Sequence, residues 1–232
     1  MSSFYYARRR SAGFNPATLS NLLACLLSEN VQHTGSATTG WLDTVTNQVL
    51  PLGGAYTAAN PNFNNKPTVT LASGDLRLPG ITIPAGVAGF TATFVAQSTP
   101  SPQDSMWWYM TDGTGELDLW RAGGNQLGLN TFNGDCYGIQ LDSQTRPVVV
   151  TVAVPDKDIK DAHVYVNGQQ RAIPPNNPRQ HGAAGTFYFA SVPSTPSYNF
   201  RGDSSDFFLQ AGLASAQEVS QLHTYLQTKN GL

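Results

Sequence analysis

The chain has 232 residues with 13 basic and 15 acidic side chains, a net charge of -2, and only 12% charged residues, where soluble domains typically hold roughly 25%. That length suits one well-buried domain, and the near-neutral balance excludes a general electrostatic attraction to nucleic acid or acidic membranes. No stretch approaches the roughly 18 apolar residues of a transmembrane helix, and Asn15, Pro16, Ser20 and Asn21 break up the run that a lipoprotein signal ending at Cys25 would need.

Residues 1–13 differ in character from the rest of the chain. Phe4, Tyr5 and Tyr6 precede Arg8, Arg9 and Arg10, an apolar and basic makeup suited to docking onto another subunit, with rings filling pockets and guanidinium groups pairing with acids. The expectation is an arm over 1–13 followed by one domain over 14–232. A short apolar strand then carries Cys25, and Trp41, Asp43, Thr44 and Asn47 follow in the segment WLDTVTN. Cys25 and Cys136 imply no disulfide framework, and two buried thiols are the simpler reading. Lys66, Pro67, Val69, Gly74 and Leu78 mark a further strand pair in NNKPTVTLASGDLRLPG.

From there, short β-rich runs alternate with Gly, Pro and Asn, the pattern of an antiparallel sandwich. They begin at Phe90, Ser105, Gly115, Val148, His163, Thr186 and Asp206. Asn167-Gly168 predicts a tight hairpin, because both residues tolerate positive φ. Arg201-Gly202-Asp203 reads as a turn. Ser215 and Glu218 have capping-box spacing and open the single predicted helix, in which Val219, Leu222 and Leu226 share a face and Gly231 supplies the stop.

Two strands hold the candidate binding residues. In GELDLWR, alternation sends Leu117 and Leu119 to the core and sets Glu116, Asp118 and Trp120 together on the opposite face. In SMWWYM, the same rule pairs Trp107 with Tyr109 on one face and Met106 with Trp108 and Met110 on the other. Carboxylates accept hydrogen bonds from sugar hydroxyls, and an aromatic ring stacks on the apolar C–H face of a pyranose. Glu116, Asp118, Trp120, Trp107 and Tyr109 are therefore candidate carbohydrate-binding residues. The competing reading makes these aromatics core or interface anchors. His33, His163, His181 and His223 are scattered without ligand spacing.

The succession of these blocks, from WLDTVTN through the Lys66–Leu78 pair and the HVYVNGQQ hairpin to the closing strand, helix and KNGL end, resembles the laminin-G-like branch of the concanavalin A-like lectin/glucanase superfamily. The resemblance spans residues 14–232. It departs from the family where Cys25 and Ser28 stand in place of a frequent Trp and acidic residue on the first strand. It implies an all-β, two-sheet antiparallel jelly-roll sandwich with one short C-terminal helix. It also implies a lectin-like, non-enzymatic role. The expected setting is a virion surface, as a decoration, fibre or tail-associated protein of a bacteriophage. The expected partners are a cell-surface glycan, other virion subunits through the arm, and further copies of the chain in a homo-oligomer, without nucleic acid or membrane.

Two alternatives stand beside that reading: a purely structural particle subunit and a degenerate retaining β-glucan hydrolase. Retaining glucanases of the superfamily place a second glutamate where this chain has Trp120, or Arg121 if the strand bulges. Retaining hydrolysis needs two carboxyl groups about 5 to 5.5 Å apart, so a partner for Glu116 would have to come from Asp104, Asp112, Asp135 or Asp142. No metal site and no cofactor is predicted. Calcium is common in laminin-G-like domains, but no dense Asp/Asn loop is present to bind it.

Overall fold

A computed structural model describes residues 14–232 apart from 73, 74, 76, 100–104, 114, 115, 123, 124, 132, 133, 144, 156, 175–179, 182 and 183. The arm with Phe4, Tyr5, Tyr6, Arg8, Arg9 and Arg10, together with Gly74 and Asp104, lies outside the described residues. The strands run β1 (Leu22–Thr34), β2 (Ala37–Asp43), β3 (Gln48–Pro51), β4 (Ala55–Asn60), β5 (Lys66–Leu71) and β6 (Ile81–Ile83). They continue with β7 (Gly89–Ser98), β8 (Ser105–Thr111), β9 (Glu116–Ala122), β10 (Gln126–Thr131), β11 (Gly134–Gln140) and β12 (Val148–Pro155). The last are β13 (Lys157–Asp158), β14 (His163–Val166), β15 (Gln169–Arg171), β16 (Gln180–His181), β17 (Gly185–Phe189) and β18 (Gly202–Ala211), before the helix α1 (Ala216–Asn230).

Apart from the short β13–β16 pair, the strands build a two-sheet antiparallel sandwich. The larger sheet has 10 strands in the order β1-β2-β4-β5-β18-β7-β12-β14-β15, with β3 on β2, and the facing sheet has 6 in the order β11-β10-β9-β8-β17-β6. Because β1 also pairs with β18, strands β1, β2, β4, β5 and β18 close on themselves, which removes open edges at that end. Phe94, Val150 and Phe207 of the large sheet meet Trp108, Leu119 and Phe187 of the small one in an apolar core. Its rings pack edge-on or stacked, as with Phe94 and Trp107 at 5.1 Å and Phe189 and Phe207 at 4.5 Å.

The outer face of the large sheet is covered by α1. Leu222 and Leu226 pack there against Cys25, Val95, Val149 and Phe208, so β7 and β12 are buried on both faces; β12 is apolar apart from Thr151, and β7 carries Thr91, Thr93, Gln97 and Ser98 among its apolar residues. The capping box predicted at Ser215 and Glu218 is formed in both directions, and Gly231 closes the helix with φ of 70°. Asn167 and Gly168 take φ of 49° and 83° in the β14–β15 hairpin, as type I′ geometry requires.

The tryptophan–aspartate segment has a structural explanation. Trp41 is fully buried and its indole N–H donates to the Leu27 carbonyl at 2.8 Å. Asp43 accepts from the Cys25 and Val45 amides and from the Thr46 hydroxyl, and Asn47 completes the turn with φ of 56°. Cys25 is a buried free thiol, and burial raises its pKa. At Arg201-Gly202-Asp203 the structure corrects the expected turn. Gly202 and Asp203 begin β18, where Asp203 accepts from Thr70 and Asn60. A Cβ at Gly202 would lie 2.1 Å from the Gln97 carbonyl.

Candidate functional site

The outer face of the small sheet brings together most of the residues selected from the sequence. Strand pairing aligns Tyr188 of β17, Tyr109 of β8, Asp118 of β9 and Asn130 of β10 in one cross-strand row. The adjacent row runs Thr82, Thr186, Thr111 and Glu116 across β6, β17, β8 and β9. Trp120 lies in the next row on the other side, opposite Met106 and Gly128. Leu117 and Leu119 point inward and are fully buried, so the alternation read in GELDLWR holds.

Hydrogen bonds tie the rows together. Tyr109 Oη donates to Glu116 Oε2 at 3.1 Å, and Asn130 Nδ2 donates to Asp118 Oδ2 at 3.4 Å. The Tyr109 and Tyr188 rings lie 6.1 Å apart. Burial foremost, and then the bond to Glu116 and its charge, raise the Tyr109 pKa against an opposing bond to Thr111. The protonated phenol is the donor in its bond to Glu116.

The placements differ in what they present outward. Thr82 is exposed, and Glu116, Trp120, Thr111, Thr186 and Tyr188 are half-buried. Asp118 is only 1% exposed and Tyr109 8%. Both lie beneath the surface, where they orient their neighbours and offer little contact area of their own. Trp107 requires a correction. The β8–β9 register slips between Met106 and Trp108, and the extra residue of such a bulge turns away from strict alternation. Trp107 is 2% exposed and packs edge-on against Phe94 and Phe200. It is a core residue, as is Trp108 beside it.

Tyr188 was missed in the sequence, although TFYFA carries the signal: Phe187 and Phe189 point into the core, and Thr186 and Tyr188 point out. Its ring lies over Gly80, where an added Cβ would fall 2.8 Å from Tyr188 Cε1 and 2.2 Å from Thr186 Cγ2. The absent side chain at Gly80 is what lets the ring settle there.

Four acids are candidate carboxylate partners for Glu116. Asp142 is held by Arg171 and Asn167, Asp112 is exposed, and Asp104 and the side chain of Asp135 lie outside the described part. Among the described residues no three His, Cys, Asp or Glu side chains converge on a possible metal. No helix of the described residues is long and apolar enough to cross a membrane.

No protein-family model matches the chain, and no curated protein matches it. Solved structures do. Domain 4 of AbnA, a GH43 extracellular arabinanase from Geobacillus stearothermophilus, in complex with arabinotriose, superposes with a TM-score of 0.61 and 14% identity over 88% of this chain and 99% of that one. The shared fold is an antiparallel β-sandwich. Trypanosoma rangeli sialidase matches with a TM-score of 0.56 and 17% identity over 90% of this chain, which spans 33% of the sialidase. The binding domain of botulinum neurotoxin DC, in complex with rat synaptotagmin II, matches with a TM-score of 0.57 and 13% identity over 89% of this chain and 52% of that one. At these identities the likeness is one of fold.

Proposed function

We propose that this chain is a non-enzymatic, lectin-like protein of the laminin-G-like kind that binds carbohydrate on the outer face of its small sheet. One observation carries the reading: the Tyr109–Glu116 pair at 3.1 Å sits among threonine hydroxyls and beside the half-exposed rings of Tyr188 and Trp120. Donors, acceptors and aromatic faces are thus combined in the way sugar sites require. Support also comes from the arabinanase domain of the same fold, whose structure holds arabinotriose. The large sheet offers no equivalent face over its central strands, since α1 packs on it.

Hydrolysis is not part of the proposal: Trp120 occupies the position where a retaining glucanase would carry its second glutamate, and Asp118 is buried. The setting on a bacteriophage virion, as a decoration, fibre or tail-associated subunit of an oligomer, rests on the resemblance to the laminin-G-like branch and on the composition of residues 1–13. It enters the proposal together with the role of that arm in docking.

A glycan-array screen of the purified chain, with and without calcium, tests the binding function. Saturable binding to a defined glycan is expected, with no release of reducing sugar from the bound oligosaccharide. Trp120→Ala should weaken binding at least about tenfold, the scale of one lost stacking contact, without changing the circular dichroism spectrum. A blank array would favour the particle subunit that binds no glycan.

A further inference from the structure

We propose that the glycan is a neutral oligosaccharide, stacked on the ring of Tyr188 and hydrogen-bonded through its hydroxyls to Glu116 and the threonine row beside it. The inference rests on the carbohydrate-binding function above and names its ligand class.

Three observations carry it. Tyr188 is half-exposed, lies over Gly80, and borders Thr82, Thr186 and Thr111 in the neighbouring row. These threonines line one side of the ring with hydroxyl groups that both donate and accept, suited to a polyhydroxyl ligand, and Thr111 Oγ1 also accepts from the Gly113 N–H. Second, among the side chains described on the strands of this face, the charged ones are both acids, Glu116 and Asp118. Arg121, the basic residue of β9, has the opposite parity and reaches the Ser98 hydroxyl and the Thr99 carbonyl. A sialic or uronic acid would bring its carboxylate beside Glu116 in a partly desolvated setting, where like charges repel more strongly than in water. Glu116 accepts one hydrogen bond from Tyr109, and a carboxylate has further lone pairs for sugar hydroxyls.

The third observation is length. The Tyr188 row and the Glu116 row each cross four strands, or about 14 Å at ~4.8 Å per strand spacing. That span suits a short oligosaccharide lying across the strands better than a single sugar.

The test compares neutral oligosaccharides with their sialylated and uronate-containing counterparts on one array, followed by titration calorimetry of the best pair. Neutral members should bind at least about tenfold more tightly than acidic ones. Tyr188→Ala should lose about tenfold or more in affinity, and Tyr188→Phe should retain most of it. Glu116→Gln should narrow the gap by strengthening the acidic counterpart. Equal or preferential binding of acidic glycans would overturn the neutral assignment and leave the lectin function standing. Parent-like affinity in a folded Tyr188→Ala would overturn the stacking platform alone. Failure of both series to bind would remove the lectin function, and this inference with it.

Discussion

His223 accepts the Gly168 N–H at Nδ1, at 2.7 Å, so its own proton sits on Nε2 and is donated to Thr151 Oγ1 at 2.8 Å. Thr151 in turn meets Thr93 at 2.6 Å. Nothing in this chain of bonds welcomes a second imidazole proton, and burial lowers the His223 pKa to about 4. The unfolded chain, with an ordinary histidine near 6.5, takes up that proton first as the pH falls. Stability from His223 is therefore complete above about pH 6.5 and is lost as the pH drops toward 4. The loss should be about 2 kcal/mol by pH 5. Urea denaturation at pH 7 and pH 5 measures it, and His223→Gln should flatten the difference. An unchanged midpoint in the parent protein would contradict the buried neutral imidazole. Glu218, held at about 2 by the bonds from Ser215 and Ser20 despite some burial, acts at lower pH, between the ordinary glutamate value and 2.

At the scale of elements, α1 is anchored by different chemistry at each end. Its first turn relies on the exposed capping box and on Ser20 Oγ, which donates to Glu218 at 2.8 Å. Its last turn relies on Lys229, whose Nζ lies 2.7 Å from the fully buried Asp206 and 2.5 Å from Glu29. Burial opposes the Lys229 charge, but Asp206 and Glu29 together outweigh it and the pKa rises. Lys229→Met leaves a buried carboxylate without its counter-charge and should cost about 3 kcal/mol. Ser215→Ala removes one exposed cap and should cost about 1 kcal/mol. Thermal unfolding of the two variants ranks the anchors, and a larger loss for Ser215→Ala would show that the buried pair does not hold the helix.

For the whole molecule, the two sheets have divided roles. The large sheet is closed at one end by β1 pairing with β18 and covered outside by α1, whereas the small sheet turns a polar and aromatic face outward. The arm over residues 1–13 precedes Phe14, whose ring lies 6.0 Å from Tyr225 on α1. Under the proposed docking role, deleting 1–13 should leave the unfolding midpoint and glycan binding unchanged while abolishing association with the particle that the proposal assigns to it. Co-sedimentation with assembled particles checks this, and retained incorporation would refute the docking role.

Local rules determined a large part of this structure, because they act through neighbouring residues. The capping box at Ser215 and Glu218, the Asn167-Gly168 turn and the inward Leu117 and Leu119 each depend on sequence spacing of a few residues, and each formed as read. Tertiary structure decided the rest. The bulge that buries Trp107 exists only when β8 is registered against β9, so strict alternation misplaced that ring. The burial of Asp118 follows from strands packed on either side of it, and the environment of His223 from residues 55 and 72 positions away in the chain. The placement of Tyr188 over Gly80 is likewise set by neighbouring strands and loops. Periodicity assigns a side chain to a face of a strand; register and packing across sheets decide whether that face meets solvent, a ligand or the core.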